Sequence, residues 1–155
     1  MRLRILSLAL LLTTANVALA EDMAAPIEAS KIKWSAAPNS LPAGAQWFVL
    51  SGDPSKNGAY AVRLRLPAGY QIPAHSHPTT EAVTVLSGRV LLGMGDKLDP
   101  KKGMVLTTGA YAEAPPKMNH YAVATSPSVI QVHGKGPFEI TYVDKADDPR
   151  NAAPR

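Results

Sequence analysis

Residues 59–66 carry the clearest alternation in the chain. Tyr60, Val62, Leu64 and Leu66 share one side, while Arg63 and Arg65 share the other. Successive side chains of a strand point to opposite faces, so this pattern predicts a half-buried strand with a charged outer face. Shorter apolar runs at 46–50, 81–86, 90–94, 104–107, 119–124, 128–133 and 138–143 read as further strands. Between them stand turn pairs such as Asp53-Pro54, Asn57-Gly58, Ser87-Gly88 and Gly95-Asp96. Pro115-Pro116 predicts an end to any pairing near Ala114, because proline cannot donate to a ladder. No stretch keeps a helical period over three turns, and no internal repeat is present. Many short strands with Gly and Pro punctuation predict an all-β sandwich or barrel.

The flanks follow other rules. Residues 1–20 have a positive start (Arg2, Arg4), a short apolar run at 5–12 and the small-residue end Ala18-Leu19-Ala20. That is the pattern of a secretory signal peptide cleaved after Ala20. The run is well short of the roughly 20 residues a spanning helix needs. The expected product is periplasmic or secreted, with no membrane attachment after cleavage. Residues 21–45 read as an extended arm with Trp34 as its one large anchor, residues 46–143 as the single regular domain, and residues 144–155 as a loose tail.

Charge and composition narrow the partners. Without Arg2 and Arg4, 14 of the 16 basic residues remain against 12 acidic ones, a net of +2. No Lys/Arg cluster is left to bind nucleic acid. The 14 prolines and 11 glycines fall between apolar runs and indicate turns rather than disorder. There is no cysteine, so disulfides, thiolate ligands and thiol nucleophiles are excluded. Any metal site must use nitrogen and oxygen donors.

Such donors are present. His75 and His77 stand two residues apart, Glu81 follows four later, and His120 lies far along the chain. Positions i and i+2 of a strand share a face, with Cα atoms about 6.5–7 Å apart, so both rings can turn to one point. Two imidazoles there can hold one ion at about 2.0–2.1 Å if it is zinc. Glu81 opens the next strand and can return a carboxylate oxygen to the same point. Three nitrogens and one carboxylate leave a five- or six-coordinate metal partly open, as chemistry requires and a structural zinc site does not allow. Mn, Fe, Co, Ni and Zn all suit this ligand set.

The spacing of these residues resembles the cupin superfamily. Gly69, His75, His77, Glu81 and Gly88 match its first motif at every interval, and Gly109, Pro115 and His120 match its second. Lys117 stands where the second motif usually has glycine, and Ala124 where it has asparagine. The resemblance implies a double-stranded β-helix, a jelly-roll barrel with the metal inside, often dimeric. It covers about residues 46–143.

Val62, Leu64, Val83, Val85, Val90 and Leu92 are the expected lining of that barrel, a setting suited to a small organic molecule. Tyr111, Tyr142, Trp47, Gln71 and Met94 read as core or rim. His133 shares a strand face with Val129 and Gln131. It is the candidate catalytic acid or base beside the metal; the plainer reading is an ordinary hydrogen-bonded histidine. Two functions stay open. One is a metal-dependent oxygenase, isomerase or lyase; the other is a non-catalytic module that binds or senses a small molecule or metal.

Overall fold

Alternation becomes architecture in the computed structural model, which describes residues 25–151. The signal segment and the end of the tail lie outside the described residues. Among the described residues eleven strands run in chain order. They are β1 (Ser35–Ala36), β2 (Gln46–Ser51), β3 (Gly58–Leu66), β4 (Gln71–Ser76), β5 (Glu81–Ser87) and β6 (Arg89–Met94). Then come β7 (Met104–Thr107), β8 (Tyr111–Ala114), β9 (His120–Ala124), β10 (Ser128–Gly136) and β11 (Thr141–Tyr142). One antiparallel sheet has the order β1-β2-β3-β10-β5-β8 and the other β11-β4-β9-β6-β7. Among the described residues the only helices are short 3-10 turns, and no helix is long and apolar enough to cross a membrane.

The inner faces of the two sheets close on one apolar core. Val62, Leu64 and Leu66 of β3, Val85 of β5, Val90 of β6, and Ile130 and Val132 of β10 are all buried in it. This is the jelly-roll arrangement. On the outer face of β3 the arginines do more than meet solvent. Arg63 donates to Gln131 (3.0 Å), and the Arg65 guanidinium lies 4.3 Å from the Trp34 ring centre. Trp34 is half-buried and Arg65 exposed, and a cation over an aromatic ring near the surface contributes about 0.5–1 kcal/mol toward holding the arm's anchor against the sheet.

The arm reaches further in than an edge segment would. Leu41 is buried in the core, and the hydroxyls on either side explain why. Tyr142 donates to the Ser40 carbonyl (2.8 Å) and Tyr70 to the Pro42 carbonyl (2.5 Å). Buried carbonyls need such partners, and here the partners also clamp the apolar residue between them. The tail differs from its expectation too. Residues 144–151 form two 3-10 turns, with Asp144 capping Ala146 and Arg150 bridging Asp148 and the Ile140 carbonyl.

Behind β9, Tyr121 is buried on the outer face and donates to the Asp99 carbonyl (3.1 Å), pinning the loop between β6 and β7. Its ring lies over Gly93, its cross-strand partner, where a Cβ would come within 2.1 Å of the ring. Overpacking of this kind costs about 1–3 kcal/mol. Gly93→Ala is expected to lose that much stability in urea denaturation; an unchanged midpoint would show that Tyr121 swings aside freely.

Candidate metal centre

His75 should not face inward by simple alternation. Ile72 lines the interior, so period two would send Ala74 and Ser76 inward and His75 out. The pairing of β4 with β9 shows what changes this. Ile72 sits opposite Ala122 and His75 opposite His120, so three steps on β4 match two on β9. The extra residue is a β-bulge at Pro73-Ala74, a place where a proline costs no ladder bond. It shifts the phase by one and turns His75 onto the same face as His120.

His77 follows just beyond the end of β4, Glu81 begins β5, and His120 begins β9. The three rings converge. Their centroids are 4.3 Å apart for His75–His120, 5.0 Å for His75–His77 and 5.4 Å for His77–His120. One nitrogen of each lies within 4.8 Å of the others, and all three residues are buried. Donors bound to one ion at about 2.1 Å are at most about 4.2 Å apart, so only a small inward adjustment is needed.

Each ring is held from behind. His75 Nδ1 meets the Pro73 carbonyl (2.7 Å), His77 Nδ1 the Glu139 carbonyl (2.7 Å) and His120 Nδ1 the Met118 carbonyl (3.0 Å). A carbonyl only accepts, so Nδ1 carries a hydrogen, which leaves Nε2 of each ring, turned to the centre, as the nitrogen that can bind a metal once it is deprotonated. Burial, aided by the neighbouring His120 and His77 rings, pushes His75 down to about 3, which keeps it neutral at physiological pH. The Glu81 carboxylate lies 3.3 Å from His120 Nε2 and 3.5 Å from His77 Nε2. Burial would raise its pKa, but the contacts with His120 and His77 outweigh that and hold it well below the usual carboxylate range. Burial likewise lowers His77, yet Glu81 and the Glu139 carbonyl reverse the sign and raise it.

His77 Nε2 is the one buried side-chain polar atom without a hydrogen-bond partner among the described residues. A buried unsatisfied group costs about 1–3 kcal/mol. A cation among the three Nε2 atoms and the carboxylate would remove that cost, so the residues present fit a divalent metal.

The remaining wall is apolar. Leu64, Val83, Val90 and Leu92 line the cavity as expected, whereas Val62 and Val85 lie deeper in the core. Tyr111 and Met94 are exposed, Gln71 is at the surface, and Tyr142 is spent on Ser40. His133 is not brought to the site. Ile130 and Val132 take the inner face of β10, so His133 goes outward with Gln131, which it meets at 3.1 Å. It borders an outer groove beside Thr79, Glu113 and Lys135 instead of the cavity. The rest of the wall was not anticipated from the sequence, Leu41, Phe138 and Ile140 among it. Phe138, Ile140 and Tyr142 alternate with exposed Glu139 and Thr141, so that signal was available.

A sequence profile for the ChrR cupin-like domain matches residues 22–139. The chain belongs to the cupin superfamily. No curated protein matches it significantly. Solved structures share the fold at low identity. A provisionally assigned acetylacetone dioxygenase from Methylibium petroleiphilum PM1 is 17% identical with a TM-score of 0.62, over 84% of this chain and 88% of that one. KdgF from Halomonas sp. is 18% identical with a TM-score of 0.55, over 74% and 96%. The DMSP lyase DddQ from Ruegeria pomeroyi DSS-3 is 18% identical with a TM-score of 0.56, over 73% of this chain and 61% of that one.

This cupin's departure at Lys117 now has a physical meaning. Lys117 has φ of 63°, the left-handed region in which the usual glycine is at ease. Its N–H donates to the His77 carbonyl (2.8 Å), tying the turn before β9 to the first pair of histidines. A side chain there costs about 1–2 kcal/mol, partly offset by the entropy glycine loses on folding. Lys117→Gly is expected to raise stability by about 1 kcal/mol in denaturant titration, and a loss would mean the lysine side chain makes compensating contacts.

Proposed function

We propose that this chain is an exported cupin that holds one divalent transition metal (Mn, Fe, Co, Ni or Zn) through His75, His77, His120 and Glu81. On this reading it acts on a small organic molecule at that metal. The observation that carries the reading is the set of three Nδ1-pinned imidazoles with the partnerless His77 Nε2 among them. Such an ion, when bound, supplies a Lewis acid that polarises an oxygen donor of the substrate. The carbonyls of Pro73, Glu139 and Met118 orient the rings, Glu81 offsets the ion's charge, and Leu64, Val90 and Ile130 exclude water. Fold neighbours named as a dioxygenase and as a lyase support small-molecule chemistry without choosing the reaction.

One observation favours a non-catalytic binding or sensing module. Apart from the three histidines and Glu81, every residue on the cavity wall is apolar, so no separate acid or base stands ready. Single-turnover assays of metal-loaded protein against equilibrium binding of the same compound separate the two readings.

The metal assignment is tested by elemental analysis of purified protein. The wild type is expected to retain about one ion per chain and to gain about 4 kcal/mol when free metal stands 1,000-fold above its Kd. His77→Ala is expected to lose both the ion and the gain. Full metal content in that variant would break the ligand set. Export is supported by the charge, apolar run and small residues of positions 1–20. Intact mass of the protein from the extracytoplasmic fraction is expected to correspond to a chain beginning at Glu21; an intact Met1 terminus would refute cleavage.

A further inference from the structure

Two cavities meet at one side chain. The cavity at the metal centre measures about 40 Å³, room for an ion with one or two water-sized ligands. Organic ligands fill pockets of about 300–1,000 Å³, so the inner cavity cannot hold one by itself. On the far side of Phe138 lies a surface pocket of about 360 Å³, walled by Pro38, Trp47, Val49 and Pro54. Phe138 belongs to both walls.

The ring of Phe138 is placed to divide them. Its centroid is 5.7 Å from His77, 6.1 Å from Trp47 and 6.0 Å from Tyr60. Its backbone N–H donates to the Pro54 carbonyl (2.6 Å), so the main chain is anchored to the outer pocket while the ring stays only partly buried. Ile140 also borders the inner cavity and a second surface groove. It is a poorer door: it is fully buried, stiff at its branched Cβ, and its carbonyl is held by Arg150 (2.9 Å).

We propose that the Trp47–Phe138 pocket is the antechamber of the metal site, that Phe138 opens between the two, and that the occupant is a small organic anion with a flat apolar body. This rests on the metal reading above. Three neutral imidazoles and one carboxylate around a divalent ion leave one positive charge, which selects an anionic oxygen donor. Aromatic and proline walls select a flat apolar body. Asp53 at the rim does not oppose this choice, because Ser55 (2.6 Å) and Lys56 (3.1 Å) already engage its carboxylate.

The test loads the full chain with cobalt(II) and follows benzohydroxamate binding by stopped-flow absorbance, with acetohydroxamate as the ring-free comparison. Phe138→Ala is expected to raise the benzohydroxamate on-rate about tenfold, Phe138→Trp to lower it, and Ile140→Ala to leave it within about twofold. Benzohydroxamate is expected to bind the wild type about tenfold more tightly than acetohydroxamate. In metal-free protein, diethylpyrocarbonate is expected to label His77 several-fold faster in Phe138→Ala than in the wild type. If Ile140→Ala accelerates both processes and neither Phe138 variant changes them, the entry lies elsewhere and the proposal is overturned. Equal affinity for the two hydroxamates would remove the antechamber as a ligand site. If the wild type takes up no cobalt but labelling still follows Phe138, the metal reading falls and the door stands. Should Phe138→Ala fail to fold, Phe138→Trp still decides the question in the opposite direction.

Discussion

Three backbone carbonyls, those of Pro73, Met118 and Glu139, set the chemistry of the centre before any ion enters it. Each accepts from an imidazole Nδ1, and each thereby fixes both the tautomer and the aim of a ring. A neutral hydrogen bond of this kind contributes only about 0.5–1.5 kcal/mol net, so its main effect is orientation rather than stability. With Nδ1 committed, the three Nε2 atoms face one another and an ionised carboxylate across a few ångströms. A cation placed among them satisfies all four groups at once. Nothing apolar could do so.

The second constraint is the bulge at Pro73-Ala74. One additional residue on β4 rotates His75 from the outer to the inner face and brings it opposite His120. Because strands have period two, a phase shift of one residue is the smallest change that moves a side chain across a sheet. The turn at Lys117 acts in concert, since its N–H holds the His77 carbonyl and sets the approach to His120. The candidate metal site is therefore a product of two local irregularities in an otherwise regular barrel.

Much of the barrel could be read in advance, for a plain reason. β3, β5, β6, β7, β9 and the first part of β10 are short runs with a buried face and turn residues at their ends, and periodicity reports burial directly. β8 escaped because Pro115-Pro116 marks where that strand stops, not whether it exists. The His spacing pointed to three residues that the fold gathers at one centre, but for an incomplete reason, since strict alternation alone would have sent His75 outward. His133 shows the opposite failure. Its face was grouped correctly with Val129 and Gln131, yet alternation does not say which of two faces is inside. Burial of Ile130 and Val132 decides that, and only the packed structure shows it. Leu41 was hidden for a third reason: a single leucine between Ser40 and Pro42 has no period, and its burial depends on two distant tyrosine hydroxyls.

The bond between His77 and the Glu139 carbonyl spans 62 positions of the chain. A polypeptide emerging from its N-terminus therefore holds the first pair of histidines long before it holds the means to orient the second of them. His120 comes later, and the segment that steers His77 comes last. High affinity of these residues for an ion would arise only when nearly the whole chain has docked, so capture of an ion would mark the completion of folding and not nucleate it.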